Sequence, residues 1–410
     1  MAEPAPWIVC QLGAREHYVL AEGLHRRGQL RALVTDRWAP PGSLSVALPG
    51  GLGQRLADRF NPALGDARVL AFTGGSLARE AVARLRGTPR GWPKIMADNV
   101  WFEHRAVAAL ERVGLLVQEP KPVVFAYSYA ALGILQAARK AGCTTVLGQI
   151  DPAIAEEDIV VQVAVKAGLP AEAANPAPPT YWDRWREECA LADHIVVNSA
   201  WAQEGLERAG VDRCKIRVVP LAYAAPPPTA RPPAPDRFTA ARPLRVLFLG
   251  SLIARKGIFE LLEAARLLAG QHVELHLVGP GGEALHERLS NLPNVTDHGA
   301  VARQHVHAHF ARADLFVLPT HSDGFALTQL EAQAHGLPVI ASRHCGDVVR
   351  DGVNGLLLPE VSGVALTAAI ARYLADPALL AAHAAQARPA VGAFAPDVVL
   401  DQLQVGVLWP

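Results

Sequence analysis

Two short runs place charged residues where a folded chain would use them to hold an anion. The first is Gly250-Ser251-Leu-Ile-Ala-Arg255-Lys256-Gly257. Apolar residues then recur at Ile258, Leu261, Leu262, Ala265 and Leu268, the spacing of one helical face. Arg255 and Lys256 therefore stand where a loop enters a helix. That end of a helix is already positive, so two cations there make sense around an anion. The bland alternative is a pair of solvated loop cations. The second run is Asp323-Gly324-Phe325-Ala326-Leu327-Thr328-Gln-Leu-Glu331, closed off by Gly336 and Pro338. Gly324 permits a tight turn or a close approach of backbone to a ligand. The amides of Phe325 to Thr328 would point out of a helix N-terminus, a place for a phosphate. Glu331 lies about one turn inside; alone, it reads as a favourable acid in a first helical turn. Neither run is a Walker loop, and no G-x-G-x-x-G follows a strand, which speaks against a dinucleotide fingerprint.

The elements that must position these runs follow an α/β pattern: short apolar runs alternate with helical periods, as in parallel sheets. Strands are expected at Trp7–Leu12, Leu33–Thr35, Val123–Tyr127, Thr145–Ile150 and His194–Asn198, with helices at Arg15–Arg27, near Ala130–Ala141 and near Tyr181–Ala192. Residues 39–95, punctuated by Gly and Pro, give no clear order. Residues 224–243 are rich in Pro and Ala and cannot form helix or central strand, so they read as a semi-rigid linker. Beyond it come strands at Leu244–Leu249, Val273–Val278, Leu315–Pro319 and Pro338–Ala341. The helices there are expected from Gly257, near Glu283–Leu289 and near Leu327–His335. The expected architecture is two Rossmann-like, doubly wound domains, 1–223 and 244–388, facing across a cleft. Residues 389–410 form a tail packing back on the first domain. Ligands bind outside the carboxyl ends of such strands, where both charged runs lie.

Composition narrows the function. Lys plus Arg and Asp plus Glu both number 39 in 410 residues, a balance unsuited to a dedicated nucleic-acid binder. Five cysteines without C-x-x-C spacing argue against a disulfide framework or a thiolate zinc site. The N-terminus shows no signal-peptide pattern, no apolar run reaches bilayer length, and a cytoplasmic protein is expected. Of His305, His307 and His309, only the first and last share a helical face, and no acid or cysteine cluster accompanies them, so no metal site is expected. Thr180 reads as a helix cap with Asp183 three positions on, and Trp182 and Trp185 as core or as sugar-stacking rings. Residues 51–95 carry eight basic residues against three acids, which suits either contact with an anionic membrane or an arginine-rich surface.

In this order and on successive strand ends, the two runs resemble the family-four retaining glycosyltransferases of the two-Rossmann GT-B fold. Their signature is E-G-F-G-L-x-x-x-E followed by A-x-x-x-G-x-P-V-I/V-A-S/T. It is matched by Asp323 to Glu331 and then Ala332 through Gly336-Leu-Pro338-Val-Ile-Ala-Ser342. Gly346 to Pro359 and Ala313 to Thr320 also look like the family. The resemblance is strong over 244–375, moderate over 180–222 through Ala192–Ser199 and Lys215–Pro220, and weak before 120.

The resemblance implies a nucleotide-diphosphate sugar held by the second domain and an unidentified acceptor held by the first. Lys256 matches the family lysine on the diphosphate. Ser251 replaces the arginine usual after the first glycine, and Arg255 could reach the same phosphates. Glu331 matches the acid that accepts from the ribose hydroxyls. The backbone of Phe325–Thr328 would hold the β-phosphate and touch the sugar. Asp323 stands where the family has a glutamate near the sugar, one methylene shorter. His298-Gly299-Ala300-Val301 matches the segment contacting the base. Lys256, Arg255 and Asp323 are thus the candidate catalytic groups. On the first domain, Gly13, Arg15 and His17 stand at the cleft, or are simply polar residues of a helix start. The segment Leu147–Pro152 lacks the family histidine; Gln149 or Asp151 would take its role, Asp151 being alternatively a turn residue before Pro152. No D-x-D motif is present, so metal-free transfer without a further cofactor is implied, with the leaving phosphate as base. The rivals are a sugar phosphorylase or synthase of the same fold, and a degenerate binder without turnover, which Ser251 and Asp323 would explain.

Overall fold

Strands buried on both faces pair as parallel sheets covered by helices. The computed structural model describes residues 5–43, 45–46, 48, 51–87, 91–228 and 234–408, and it holds two such sheets. The first contains β1 (Trp7–Gln11), β2 (Leu30–Thr35), β3 (Val69–Ala71), β4 (Val123–Tyr127), β5 (Thr144–Gln149), β6 (His194–Val197) and β7 (Ile216–Val218). Their order is β3-β2-β1-β4-β5-β6-β7, every pair parallel. The second contains β8 (Leu244–Leu249), β9 (Val273–Val278), β10 (Val295–Asp297), β11 (Leu315–Leu318), β12 (Val339–Ala341) and β13 (Gly355–Leu357), ordered β10-β9-β8-β11-β12-β13 and again parallel. Strand order reverses between β1 and β4 in one sheet and between β8 and β11 in the other. These switch points are where open sheets bind ligands, and both charged runs flank the second.

Helices cover both sheets. Those of the first domain are α1 (Val19–Arg26), α2 (Leu52–Ala57), α3 (Thr73–Arg86), α4 (Trp92–Arg112), α5 (Leu132–Lys140), α6 (Ile154–Lys166), α7 (Pro179–Leu191) and α8 (Ala200–Arg208). Those that follow are α9 (Ile258–Leu267), α10 (His286–Leu289), α11 (Arg303–Arg312), α12 (Thr328–Ala334), α13 (Gly363–Ala375), α14 (Pro377–Ala390) and α15 (Pro396–Leu408). α14 sits on the second domain, where Arg388 donates to the Ala334 carbonyl. α15 returns to α1: Arg27 pairs with Asp401 at 2.6 Å, and Leu400 packs against Gly23.

Several sequence expectations need correcting. The helix expected over Arg15–Arg27 begins only at Val19. Glu16, His17 and Tyr18 have φ of 45°, 50° and 65°, a left-handed turn. The turn carries the Glu16 carboxylate under the Tyr127 hydroxyl at 2.8 Å and buries the Tyr18 ring edge-on to Trp38, contacts that outweigh the helical periodicity. Thr180 is not a cap; α7 starts at Pro179, whose missing amide suits the first turn. Trp182 and Trp185 are core, buried in the first domain's cluster. The unordered stretch 39–95 forms α2, the edge strand β3, α3 and the start of α4. The linker's centre, 229–233, lies outside the described residues, as do residues 1–4 and Arg90; 221–228 have no regular structure. All five cysteines are free.

Candidate functional site

After β8 the chain makes a single 3-10 turn, Ala254–Lys256, and then Gly257 with φ of 76°. A Cβ on Gly257 would lie 1.9 Å from the Pro319 carbonyl oxygen, so only glycine lets this turn press on the end of β11. That contact brings the two charged runs together. The Arg255 carbonyl accepts from the His321 amide at 2.8 Å and the Thr320 hydroxyl at 3.1 Å. Lys256 Nζ contacts the Asp323 carboxylate directly. Arg255 Nη1 donates to the Ser322 carbonyl at 2.7 Å and stands 3.9 Å from Asp323 and 3.4 Å from Glu156 of the first domain. The side chains of Lys256 and Arg255 are 18% and 23% exposed, so these are not solvated loop cations. Burial first, and the Arg255 guanidinium next, push the Lys256 ammonium down to about 8.

The loop after β11 meets the first domain. A Cβ on Gly324 would stand 2.0 Å from the carbonyl oxygen of Ile150. Here glycine is required for close approach between domains. Polar contacts close the same seam. Ser199 donates to the Gly324 carbonyl at 2.7 Å, Trp201 Nε1 to Ser322 Oγ at 2.9 Å, and Ser322 Oγ to Glu156 at 2.8 Å. The Ala200 amide reaches Asp347 at 3.2 Å. Beyond Gly324, Ala326 adopts φ of 62°, and Phe325 is buried against Gly346 and Phe394. Among the described residues, the amides of Phe325, Ala326 and Leu327 donate to no protein acceptor, and α12 begins at Thr328. Glu331 is half-buried, and its carboxylate has no hydrogen-bond partner among those residues. Burial raises its pKa while Arg303 opposes the shift. Ser251 and Val301 are half-buried near the same strand ends, the Gly279 amide pairing with the Gly299 carbonyl at 2.9 Å.

On the first domain, the Gly13 amide is tied to Asp36 at 2.9 Å, and the Arg15 guanidinium lies 5.8 Å from the Tyr127 ring centre. Arg15, Asp151, Asn99, Tyr129 and Tyr181 line a cavity of about 180 Å³; His17 is not among its walls. Gln149 is buried and fully engaged. Its amide nitrogen donates to Tyr129 and Asp151 at 2.9 and 3.0 Å, and its oxygen accepts from Trp185 at 3.0 Å. Asp151 Oδ1 accepts from Tyr129 at 2.5 Å and from the Ala153 amide at 3.0 Å, so the turn before Pro152 and the cavity wall share one residue. His307 meets His335 and His309 lies edge-on to His298, on different neighbours. Among the described residues, no three His, Cys, Asp or Glu side chains are grouped to hold a metal. In the basic stretch, Arg59 pairs with Asp36, Arg84 with Glu80, and Arg79 and Lys94 both with Asp98.

Sequence reasoning missed Glu156, Ser199, Trp201, Ser322 and Asp347. Ser199 alone left a signal, a cap after a strand, which it does fulfil by accepting from the Ala202 amide.

The architecture is that of GT-B glycosyltransferases. Sucrose-phosphate synthase from Thermosynechococcus elongatus superposes with a TM-score of 0.67 at 23% identity, covering 99% of this chain and 98% of that one. HepE of Anabaena in complex with UDP and glucose gives 0.61 at 17% identity, covering 97% and 98%. Residues 243–376, within the second domain, match the family model of the glycosyl transferases group 1. Its sequence is similar to a D-inositol 3-phosphate glycosyltransferase of Geodermatophilus obscurus, 34% identical over 240 residues and 52% of each chain. It also resembles a GDP-mannose-dependent phosphatidylinositol monomannoside mannosyltransferase of Mycolicibacterium smegmatis, 31% identical over 38% of this chain and 46% of that one. The chain spans about half the length of these curated relatives.

Proposed function

We propose that the protein is a retaining glycosyltransferase that moves a sugar from a nucleoside-diphosphate sugar to an acceptor held by the first domain, without metal or further cofactor. The observation that carries this reading is the pair of half-buried cations, Lys256 and Arg255, at the second sheet's switch point. In this reading the free amides of Phe325 to Leu327 and the Thr328 end of α12 take the β-phosphate. Breaking the sugar–phosphate bond leaves growing negative charge on the diphosphate, which the two cations stabilise as it develops. Glu331, whose carboxylate has no hydrogen-bond partner among the described residues, accepts from the ribose hydroxyls. Asp323 turns from Lys256 to the sugar, and the leaving phosphate takes the acceptor's proton. Ser251 and Val301 border the nucleotide. The relative named for GDP-mannose and the structure holding UDP support a GDP or UDP donor. The cavity at Arg15 and Asp151, walled by tyrosines, suits a hydroxylated acceptor.

We place the enzyme in the cytoplasm, with residues 51–95 as its contact with anionic membrane. Arg55 and Arg68 are exposed there, and Leu85 is 87% exposed. The test is incubation with UDP-, GDP-, ADP- and dTDP-sugars in the presence of a chelator. Release of nucleoside diphosphate with an unchanged anomeric configuration, read by NMR, supports the reading. Need for free sugar phosphate would instead mark a phosphorylase, and tight binding without release a degenerate binder.

A further inference from the structure

Glu156 belongs to the first domain, yet its carboxylate is held by the second. It lies in the first turn of α6 with its side chain 18% exposed. One oxygen stands 3.4 Å from Arg255 Nη1, and the other accepts from the Ser322 hydroxyl at 2.8 Å. Ser322 in turn accepts from Trp201 of α8, so two first-domain helices converge on this one second-domain serine. Burial opposes the charge of this carboxylate most strongly, Arg255 is the leading group that offsets it, and Asp151 stands near enough to repel it. A second anion brought to the same guanidinium meets a carboxylate already there, and two like charges on one cation cannot both keep it at full strength.

We propose that Glu156 is an internal competitor of the donor's diphosphate. It holds Arg255 and Ser322 across the cleft while no nucleotide is bound, and it gives up Arg255 when the diphosphate arrives. Donor binding then weakens the first domain's grip on the loop after β11, which couples occupancy of one domain to the freedom of the other. This rests on the assignment of Arg255 and Lys256 to the diphosphate.

The test is calorimetric titration of inorganic pyrophosphate, UDP and GDP into wild type, Glu156→Gln, Glu156→Ala, Arg255→Ala and the double variant Glu156→Gln/Arg255→Ala. Glutamine keeps the size and the acceptor for Ser322 and removes only the charge. The expected result is pyrophosphate binding about 5- to 30-fold tighter in both Glu156 variants, with the same gain for whichever nucleotide binds. In the Arg255→Ala background the gain should shrink to less than about twofold, because the two residues act through one contact. Damage to the fold would weaken binding, so a gain cannot come from it. Unchanged or weaker pyrophosphate binding in both Glu156 variants overturns the proposal, as does an equal gain without Arg255. If wild type binds neither pyrophosphate nor nucleotide, the diphosphate assignment itself fails and the competitor falls with it. That case is recognisable because no variant then titrates.

Discussion

Lys256 is a cation kept in a place that disfavours its charge, with Asp323 as its counter-ion. Its ammonium is pushed down to about 8, so it is protonated below that pH and neutral above it. Nucleoside diphosphate affinity should therefore fall as pH rises through about 8, since the diphosphate is already fully ionised there. Calorimetry between pH 6.5 and 9.5 checks this, and a flat profile would sink the assignment of Lys256. Glu331→Gln should weaken nucleoside diphosphate by about 10-fold and leave pyrophosphate unaffected, because pyrophosphate lacks the ribose hydroxyls. Equal effects on both would make Glu331 a helix-start residue and nothing more. These residues were legible in the sequence because their chemistry is local: cations at a loop–helix junction, an acid one turn into a helix. Glu156 was not, because its partner Ser322 lies 166 positions away in the other domain. Gln149 was a candidate because its segment matches the one that carries the family histidine, and only the fold shows both ends of its amide engaged.

At the scale of elements, the central strands and the helices α9, α10 and α12 of the second domain were readable from apolar runs and helical spacing, whereas α13 and α14, rich in alanine, were not. The strands β3, β7, β10 and β13 have three residues each, too few to show a pattern against their surroundings; β12 is as short but is marked by Gly336 and Pro338 just before it. The left-handed turn at Glu16–Tyr18 was hidden because tertiary contacts override the helical period there. A buried acid also organises α5. Glu188 accepts from the amides of Tyr129, Ala131 and Leu132 at 2.7, 2.9 and 3.2 Å, and burial pushes its carboxyl up to about 8. A carboxyl raised in the folded state contributes stability that is full below its unfolded value near 4.5 and lost as pH rises through about 8. Urea midpoints should therefore fall from pH 5 to pH 8 more steeply in wild type than in Glu188→Gln, whose side chain does not titrate. Parallel slopes would show that Glu188 does not govern this dependence.

For the whole molecule, two parallel sheets with their helices meet through the loop at Gly324. What composition could not announce is how tightly they close. Gly324→Ala places a methyl 2.0 Å from the Ile150 oxygen, so the domains must part. Small-angle scattering should show a larger radius of gyration for this variant, and turnover should drop by at least about 10-fold as the reacting groups separate. An unchanged radius with normal turnover would mean that the seam is not required. The account stands most directly on nucleoside diphosphate binding at the second domain's cation pair. Titration of UDP and GDP into wild type and Lys256→Ala measures it. The prediction is binding of at least one nucleotide by wild type, weakened about 10- to 200-fold by the substitution, the equivalent of one charge-assisted contact. Equal affinity in the two proteins would contradict the account.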